Sequence, residues 1–367
     1  MHATRTVERA KSIEALSLVF TAGVIAGTLV PAMSFPAIPA IILPTLGAAV
    51  LLKRKIALAQ DSAAILSVLG IFLLLGAFCA LSCKLPYVPG SSAGLKGLAQ
   101  AAGESLRMRI DAIPFRADNA SALLKAFLTG DRSDLPAGTV SIFRQSGASH
   151  LLALSGLHIG IIYAILDRLT LPLGKTRPVL IIRYLFFVAG GGFFTLMTGA
   201  SPSIVRAFLF ILIRETLIIT GRPVKASRVL CLALLVQLVA DPSVIGSVGF
   251  QLSYLAMAGI FLINPLISGL YPAGGRLNPM KKIWDSVSLT ISCQAFTAPL
   301  SWHYFHSFPR HFILTNLMAI PLATGVVASG AACAVLSAIG PCPGILIKAT
   351  DFLCNMLLWV LEVISGM

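Results

Sequence analysis

An all-α polytopic membrane protein, with about ten or eleven transmembrane helices and an outer-side amphipathic helix, is the fold class this sequence predicts from three observations. Of the 367 residues, 57% are hydrophobic and 11% charged, with a mean hydropathy of +0.89, whereas soluble domains carry about a quarter charged residues. Runs approaching or exceeding the roughly twenty apolar residues that cross a bilayer recur along the chain. Clusters of basic residues separate those runs.

In order, the apolar runs occupy 13–30, 38–52, 62–82, 151–166, 179–198, 204–220, 229–240, 244–270, 283–300, 312–339 and 345–364. The first follows Arg5, Arg9 and Lys11, so a cleaved signal peptide is weighed against a retained anchor; its length and the second run close behind favour the anchor. Basic clusters stand at the amino terminus, at Lys53, Arg54 and Lys55, at Arg168, Lys175 and Arg177, at Arg222, Lys225 and Arg228, and at Arg276, Lys281 and Lys282. Placing all of them in the cytoplasm makes each pair of intervening spans an out-and-back excursion and puts the amino terminus inside. Run 229–240 is short for a span and reads as a half-helix or re-entrant element.

The organisation expected is a group of transmembrane helices over 1–83, an outer-side linker over 84–149, and a transmembrane domain over 150–367. Within the linker, Leu95, Leu98, Ala102, Leu106, Ile110 and Ile113 recur at helical spacing opposite Lys96, Gln100, Glu104, Arg107 and Asp111. That pattern is an amphipathic helix, lying on the leaflet, plugging the bundle or packing on its neighbours. A second helix is expected over 119–128, capped by Asp118 or Asn119 and stopped by Gly130.

Net charge is +14, which in a soluble protein would point to nucleic acid but here also follows from positive-inside topology. The seven cysteines show no zinc-like spacing and read as small hydrophobes, with only Cys79 and Cys83 a turn apart. No G-x-x-x-x-G-K-[ST] loop occurs, so no ATP motor is recognisable. Ser155 and His158 stand three residues apart and invite a hydrolase reading. Ala153 breaks the G-x-S-x-G pattern, and no acid in the spans pairs obviously with the histidine. His303, His306 and His311 lie among aromatic residues near a span end, where an interfacial belt explains them better than a metal does.

Charges at membrane depth need protein, water or a partner. Arg206 lies one turn into a helix begun by Pro202, and Arg214 follows on broadly the same face. Glu215 projects about 100° away from Arg214, so it is not the expected partner. A buried ion pair and a polar pathway both fit these charges, and Gln237, Gln251, Ser253 and Gln294 add polar groups within other spans.

Three segments together resemble the competence domain of the ComEC family. They are LLKAFLTGDRSDLP with FRQSGASHLLALSGLHIG over 123–160; GASPSIVRAFLF, GRPVKASR and ADPSVIGSVGFQLSYLAMAGI between 199 and 260; and ISCQAFTAPLSWHYFHSFPRHFILTNLMAIPLA over 291–323. The resemblance implies a multi-pass bacterial inner-membrane channel that passes single-stranded DNA into the cytoplasm during natural transformation. It implies as partners an outer DNA receptor, a cytoplasmic ATPase or strand-binding protein and the lipid bilayer, with self-association left open. By match of motif, His150, Ser155, His158, Arg206, Gln251, Ser253 and Asn316 are placed near the DNA path. Arg214 joins them as the charge at mid-span, and Asp131 and Arg132 shape the outer entrance. No catalytic residue, cofactor or metal is expected. The outer oligonucleotide-binding domain and the carboxyl-terminal metallo-β-lactamase-like domain of fuller members are not matched, so a shortened form without nuclease activity is expected. A secondary transporter of a small anion, bound by Arg206 and Arg214 at a broken helix, is the alternative.

Overall fold

Where the chain offers apolar runs the described backbone is helical, because in lipid each peptide group must be satisfied within its own segment. The computed structural model describes residues 2–29, 70, 72–77, 79–80, 93–117, 119–174, 176–271, 278–306 and 310–367. Run 38–52, most of run 62–82, the cluster at Lys53, Arg54 and Lys55, and Cys83, Asp118, Lys175 and Arg276 lie outside the described residues. The helices are α1 (His2–Leu29), α2 (Ala93–Asp111), α3 (Ala120–Thr129), α4 (Ala137–Gln145), α5 (Ser149–Leu152), α6 (Gly156–Thr170) and α7 (Arg177–Met197). They continue with α8 (Pro202–Ile219), α9 (Ala226–Ala240), α10 (Val248–Leu262), α11 (Asn264–Ser268), α12 (Pro279–Phe305), α13 (Phe312–Ile339) and α14 (Gly344–Ser365). No strand occurs among the described residues. Among them, four stretches are long and apolar enough to cross a membrane: α7, α10 with α11, α13, and α14. The chain is an all-α polytopic membrane protein.

Local chemistry sets the helix ends. Pro202 begins α8 and Pro279 begins α12, positions where a missing N–H leaves nothing unsatisfied. The Asn278 side chain accepts the N–H groups of Met280 and Lys281 at 3.0 and 3.3 Å. Helix α3 stops at Gly130, whose φ of 81° closes a left-handed cap; at its start Asn119 makes no side-chain cap bond. Run 229–240 becomes the fifteen-residue α9, still short. Run 244–270 is broken: a 3-10 turn over Pro242–Gly246, held by Asp241 accepting from Ser243 N–H at 3.0 Å, precedes α10 and α11.

These elements divide into two compact units, Met1–Ser91 with Leu209–Phe250, and Ser92–Phe208 with Gln251–Met367. In the first unit α1 packs on α9, burying Phe20, Val24, Val229, Ala233 and Leu238. Gly23 meets the backbone of Leu73 so closely that a Cβ there would lie 1.9 Å from its carbonyl oxygen. Close approach of this kind draws helices together in lipid, where no hydrophobic force does so.

In the second unit the hairpin of α13 and α14 is the spine, and α3 is wrapped by its neighbours, with eight of its ten residues buried. Leu124 of α3 packs its side-chain tip into the space beside Gly330 of α13, 2.2 Å from where a Cβ would stand, and Phe127 meets Phe143 of α4 edge to face at 6.4 Å. Thr315, in the first turn of α13, donates to the Ser146 carbonyl at 2.7 Å, while Ile113 packs with Cys333, eighteen residues further along α13. At about 1.5 Å per residue the segment between Ile113 and Ser146 therefore runs along about 27 Å of α13. The described part of the 84–149 region is thus woven into this unit, with the apolar residues of α3 covered by their neighbours and its Lys125 covered by Asp111 and Asp134.

Helix α2 keeps most of its expected pattern, with Leu106, Ile110 and Ile113 packed inward and Lys96, Gln100, Glu104 and Asp111 exposed, but departs from it at Leu98. Ala99 and Ile110 are buried, but Leu98 is 67% exposed, and Ile113 is buried beyond the helix end. The small Ala99 and Gly103 lie on the packed face, Gly103 against Met197, so close approach rather than side-chain size sets the register.

Candidate functional site

The chain is extended at Ala153 between α5 and α6, which leaves a break before the helix that carries His158. Ser155 caps α6, its Oγ accepting the Leu157 N–H at 3.3 Å. The Ser155 N–H in turn donates to His158 Nδ1 at 3.2 Å. With Nδ1 accepting, the ring proton sits on Nε2, which is buried without a hydrogen-bond partner among the described residues. The imidazole is 3% exposed and lies edge-on to Phe127, centroids 6.1 Å apart. The Ser155 hydroxyl is 3.5 Å from Nδ1, a poor geometry for proton abstraction from a nucleophile.

Arg206 reaches the same break. A Cβ on Gly156 would lie 3.5 Å from its guanidinium, and its Nε donates to Ser253 Oγ at 2.6 Å. The guanidinium also lies 6.0 Å from the Tyr254 ring centre, within cation–π range. Arg206 and Ser253 are therefore brought within the second unit to the break at Ser155 and Gly156, offering a cation and hydroxyls, and His158 lies in the first turn of the helix that follows. Gln251, one turn before Tyr254, accepts from the Tyr304 hydroxyl at 3.3 Å.

The remaining expected site residues lie elsewhere. His150 is exposed, its Nδ1 3.2 Å from the Gly147 carbonyl, and Asn316 is half-buried next to Thr315. These two flank the Thr315–Ser146 bond rather than the Arg206 cluster. Arg214 belongs to the first unit and pairs with Glu215 at 2.5 Å, which corrects the expectation that Glu215 points away. Two long side chains bridge the angle between adjacent helical positions, and Glu215, 1% exposed, is the buried member. His306 ends α12 in a left-handed conformation with φ 47°, and His303 lies edge to face with Tyr304, centroids 5.2 Å apart.

Asp131 and Arg132 follow the Gly130 cap, with Arg132 exposed. Asp131 accepts from the Ser133 hydroxyl at 2.7 Å and N–H at 3.0 Å, and from Arg107 at 2.5 Å. These bonds, Ser133 foremost, hold its carboxyl down at about 2. Sequence reasoning missed Lys125, a buried lysine that bonds Asp111 at 2.7 Å and also pairs with Asp134. Burial pulls its ammonium downward, but the two carboxylates more than offset this and raise it; Asp111 is lowered, chiefly by the Lys125 bond. The signal was present in a lysine within an otherwise apolar helix, while its partners lie fourteen and nine residues away.

The model of the family described as Competence protein matches residues 127–367, most of the second unit together with the 209–250 part of the first. The chain is 28% identical over 218 residues to ComE operon protein 3 of Bacillus subtilis, covering 59% of this chain and 26% of that one. It is 28% identical over 207 residues to Recombination protein 2 of Haemophilus influenzae, covering 54% of this chain and 26% of that one. An uncharacterised Escherichia coli protein, YcaI, matches at 26% identity over 210 residues, 56% of this chain and 27% of that one. The aligned stretch spans about a quarter of the length of each of these relatives. No solved structure matches. With the family model covering well over half of its residues, the chain belongs to the Competence protein family.

Proposed function

We propose that this protein serves competence, as part of an inner-membrane channel that admits single-stranded DNA to the cytoplasm during natural transformation, with its amino terminus cytoplasmic. The observation that carries the reading is the break before α6, where Arg206, held by Ser253, lies against Gly156 beside the Ser155 cap, among apolar helices of a Competence-family chain. Phosphate passing such a point meets a cation already held by a neutral hydroxyl, so the charge is attractive without being quenched by a carboxylate. Ser155, Gln251, Asn316 and His150 contribute polar groups along the route, and Asp131 and Arg132 stand at its entrance. The partners are the DNA strand, an outer receptor that delivers it, and a cytoplasmic ATPase or strand-binding protein that draws it in.

A non-catalytic role agrees with a serine whose hydroxyl caps a helix and a histidine whose Nδ1 receives a backbone N–H. The small-anion alternative needs Arg206 and Arg214 as one site, and the Glu215 partner of Arg214 weakens it. Replacing Arg206 with Ala tests the proposal: uptake of labelled DNA into the cytoplasm falls, while membrane insertion and surface DNA binding persist. Unchanged uptake rejects it.

A further inference from the structure

The turn that joins α13 to α14 connects two candidate spans, so it emerges at a face of the membrane. Against it lies an open hollow of about 340 Å³, bordered on the other side by the end of α2, with Arg109, Pro114, Ser337, Cys342 and Ile347 among its lining. That volume is at the small end for ligand sites, which run from about 300 to 1,000 Å³, and suits a headgroup rather than a whole lipid.

Arg109 supplies the charge. It is exposed at the last turn of α2 and makes no ion pair among the described residues, unlike Arg107 one half-turn earlier, which is spent on Asp131. Lys348, beside the cavity-lining Ile347, is likewise exposed and makes no ion pair among the described residues. The carboxylate of Asp351, one turn further on, is committed to the backbone N–H groups of Arg116 and Ala117 at 3.0 and 3.2 Å. The first turn of α14 carries no acidic residue that would oppose an anion.

The flanks are apolar. Ile339, next to the cavity-lining Gly340, is 83% exposed, and Ile345, in the first turn of α14 and two residues before the cavity-lining Ile347, is 82% exposed, so two bulky aliphatic side chains that water disfavours flank the turn. A cation-lined hollow at the level of the headgroups, with aliphatic side chains beside it, matches both ends of an anionic phospholipid.

We infer that this cavity binds the phosphate-bearing headgroup of an anionic phospholipid, with Arg109 as its cation and an acyl chain lying along Ile339 and Ile345. The lipid anchors the end of α2 to the α13–α14 turn, independently of whether DNA passes through the protein.

The full chain in nanodiscs of equal phosphatidylglycerol and phosphatidylcholine tests this by native mass spectrometry of retained lipid. Wild type retains phosphatidylglycerol about tenfold over phosphatidylcholine, and Arg109→Glu brings the ratio near unity with an unchanged melting temperature. Gly340→Trp does the same by another route. Gly340 lines the cavity with extended backbone, φ −178°, and open space beside it, so the indole fills the hollow and leaves Arg109 in place. A folding defect in either variant leaves the other to decide. A preference that survives both substitutions overturns the inference. So does displacement of the lipid by inorganic phosphate alone, which would make the ligand a free anion, or by a single-stranded oligonucleotide, which would make the cavity a nucleic-acid contact.

Discussion

Replacing Gly259 with Ala should wedge α10 away from α12, and the size of the effect follows from one distance. A Cβ at Gly259 would lie 2.2 Å from the Ser292 carbonyl oxygen and 3.0 Å from its carbon, backbone atoms that cannot swing aside. Reaching an ordinary contact of about 3.4 Å requires a shift of about 1.2 Å between two packed helices, the kind of overpacking that costs about 1–3 kcal/mol. Alanine also gains about 1 kcal/mol of helix propensity over glycine. Gly190, inside α7 with nothing within 4 Å, supplies the control, because Gly190→Ala gains propensity without the clash. The propensity gain cancels in the comparison, so the two variants should differ by about the overpacking cost alone. Thermal unfolding of both in the same detergent should place Gly259→Ala several degrees below Gly190→Ala. Ser253 rides on α10 six residues away, so DNA uptake should fall in the first variant and persist in the second. Equal melting temperatures would refute the close crossing.

Three further outcomes follow from the charges. Substituting Met for Arg206 removes a cation whose attraction for a phosphate about 5 Å away, at an effective dielectric constant of about 20, is about 3 kcal/mol. Uptake of labelled DNA should therefore drop by about 10- to 100-fold, with Lys recovering part of it; full activity in the Met variant contradicts the assignment. Asp131, held at about 2 against an unfolded value near 3.9, contributes stability that is present above pH 4 and lost as pH falls from about 4 towards 2. Asp131→Asn should flatten acid unfolding in that window, measured as melting temperature against pH, and an unchanged slope counts against the Ser133 and Arg107 contacts. Changing both Asp111 and Asp134 to Asn leaves Lys125 buried without a counter-charge, at a cost of up to about 3–5 kcal/mol. Lys125→Met in that background should restore part of the lost melting temperature, and no rescue would argue that Lys125 is solvated.

The spans were legible because helical hydropathy is a local property: runs 179–198, 312–339 and 345–364 became α7, α13 and α14 nearly residue for residue. The stop at Gly130 was legible for the same reason, since a left-handed cap suits glycine. What could not be read was pairing across distance. Arg206 finds Ser253 forty-seven residues away, and Lys125 finds Asp111 and Asp134, which no single helix face encodes. Periodicity ranked Leu98 with the packed face and missed that Ala99 and Gly103 let α2 approach its neighbours more closely. The Arg214–Glu215 pair escaped a rule about Cβ directions because both side chains are long enough to curl around the helix. Of the proposed path residues, Arg206 and Ser253 reach the break that Ser155 caps, with His158 bonded to Ser155, whereas His150 and Asn316 flank another contact and Arg214 belongs to the first unit.

Tyr254 offers the most direct test of whether a DNA strand passes the Arg206 cluster, since its ring lies 6.0 Å from the guanidinium and an azido-phenylalanine nearly reproduces its shape. Photolysis during uptake of labelled DNA should yield a covalent adduct of single-stranded DNA at position 254, abolished together with uptake by Arg206→Ala. Uptake that proceeds normally with no adduct at 254, while the same probe at the exposed Arg132 captures DNA, would contradict the account.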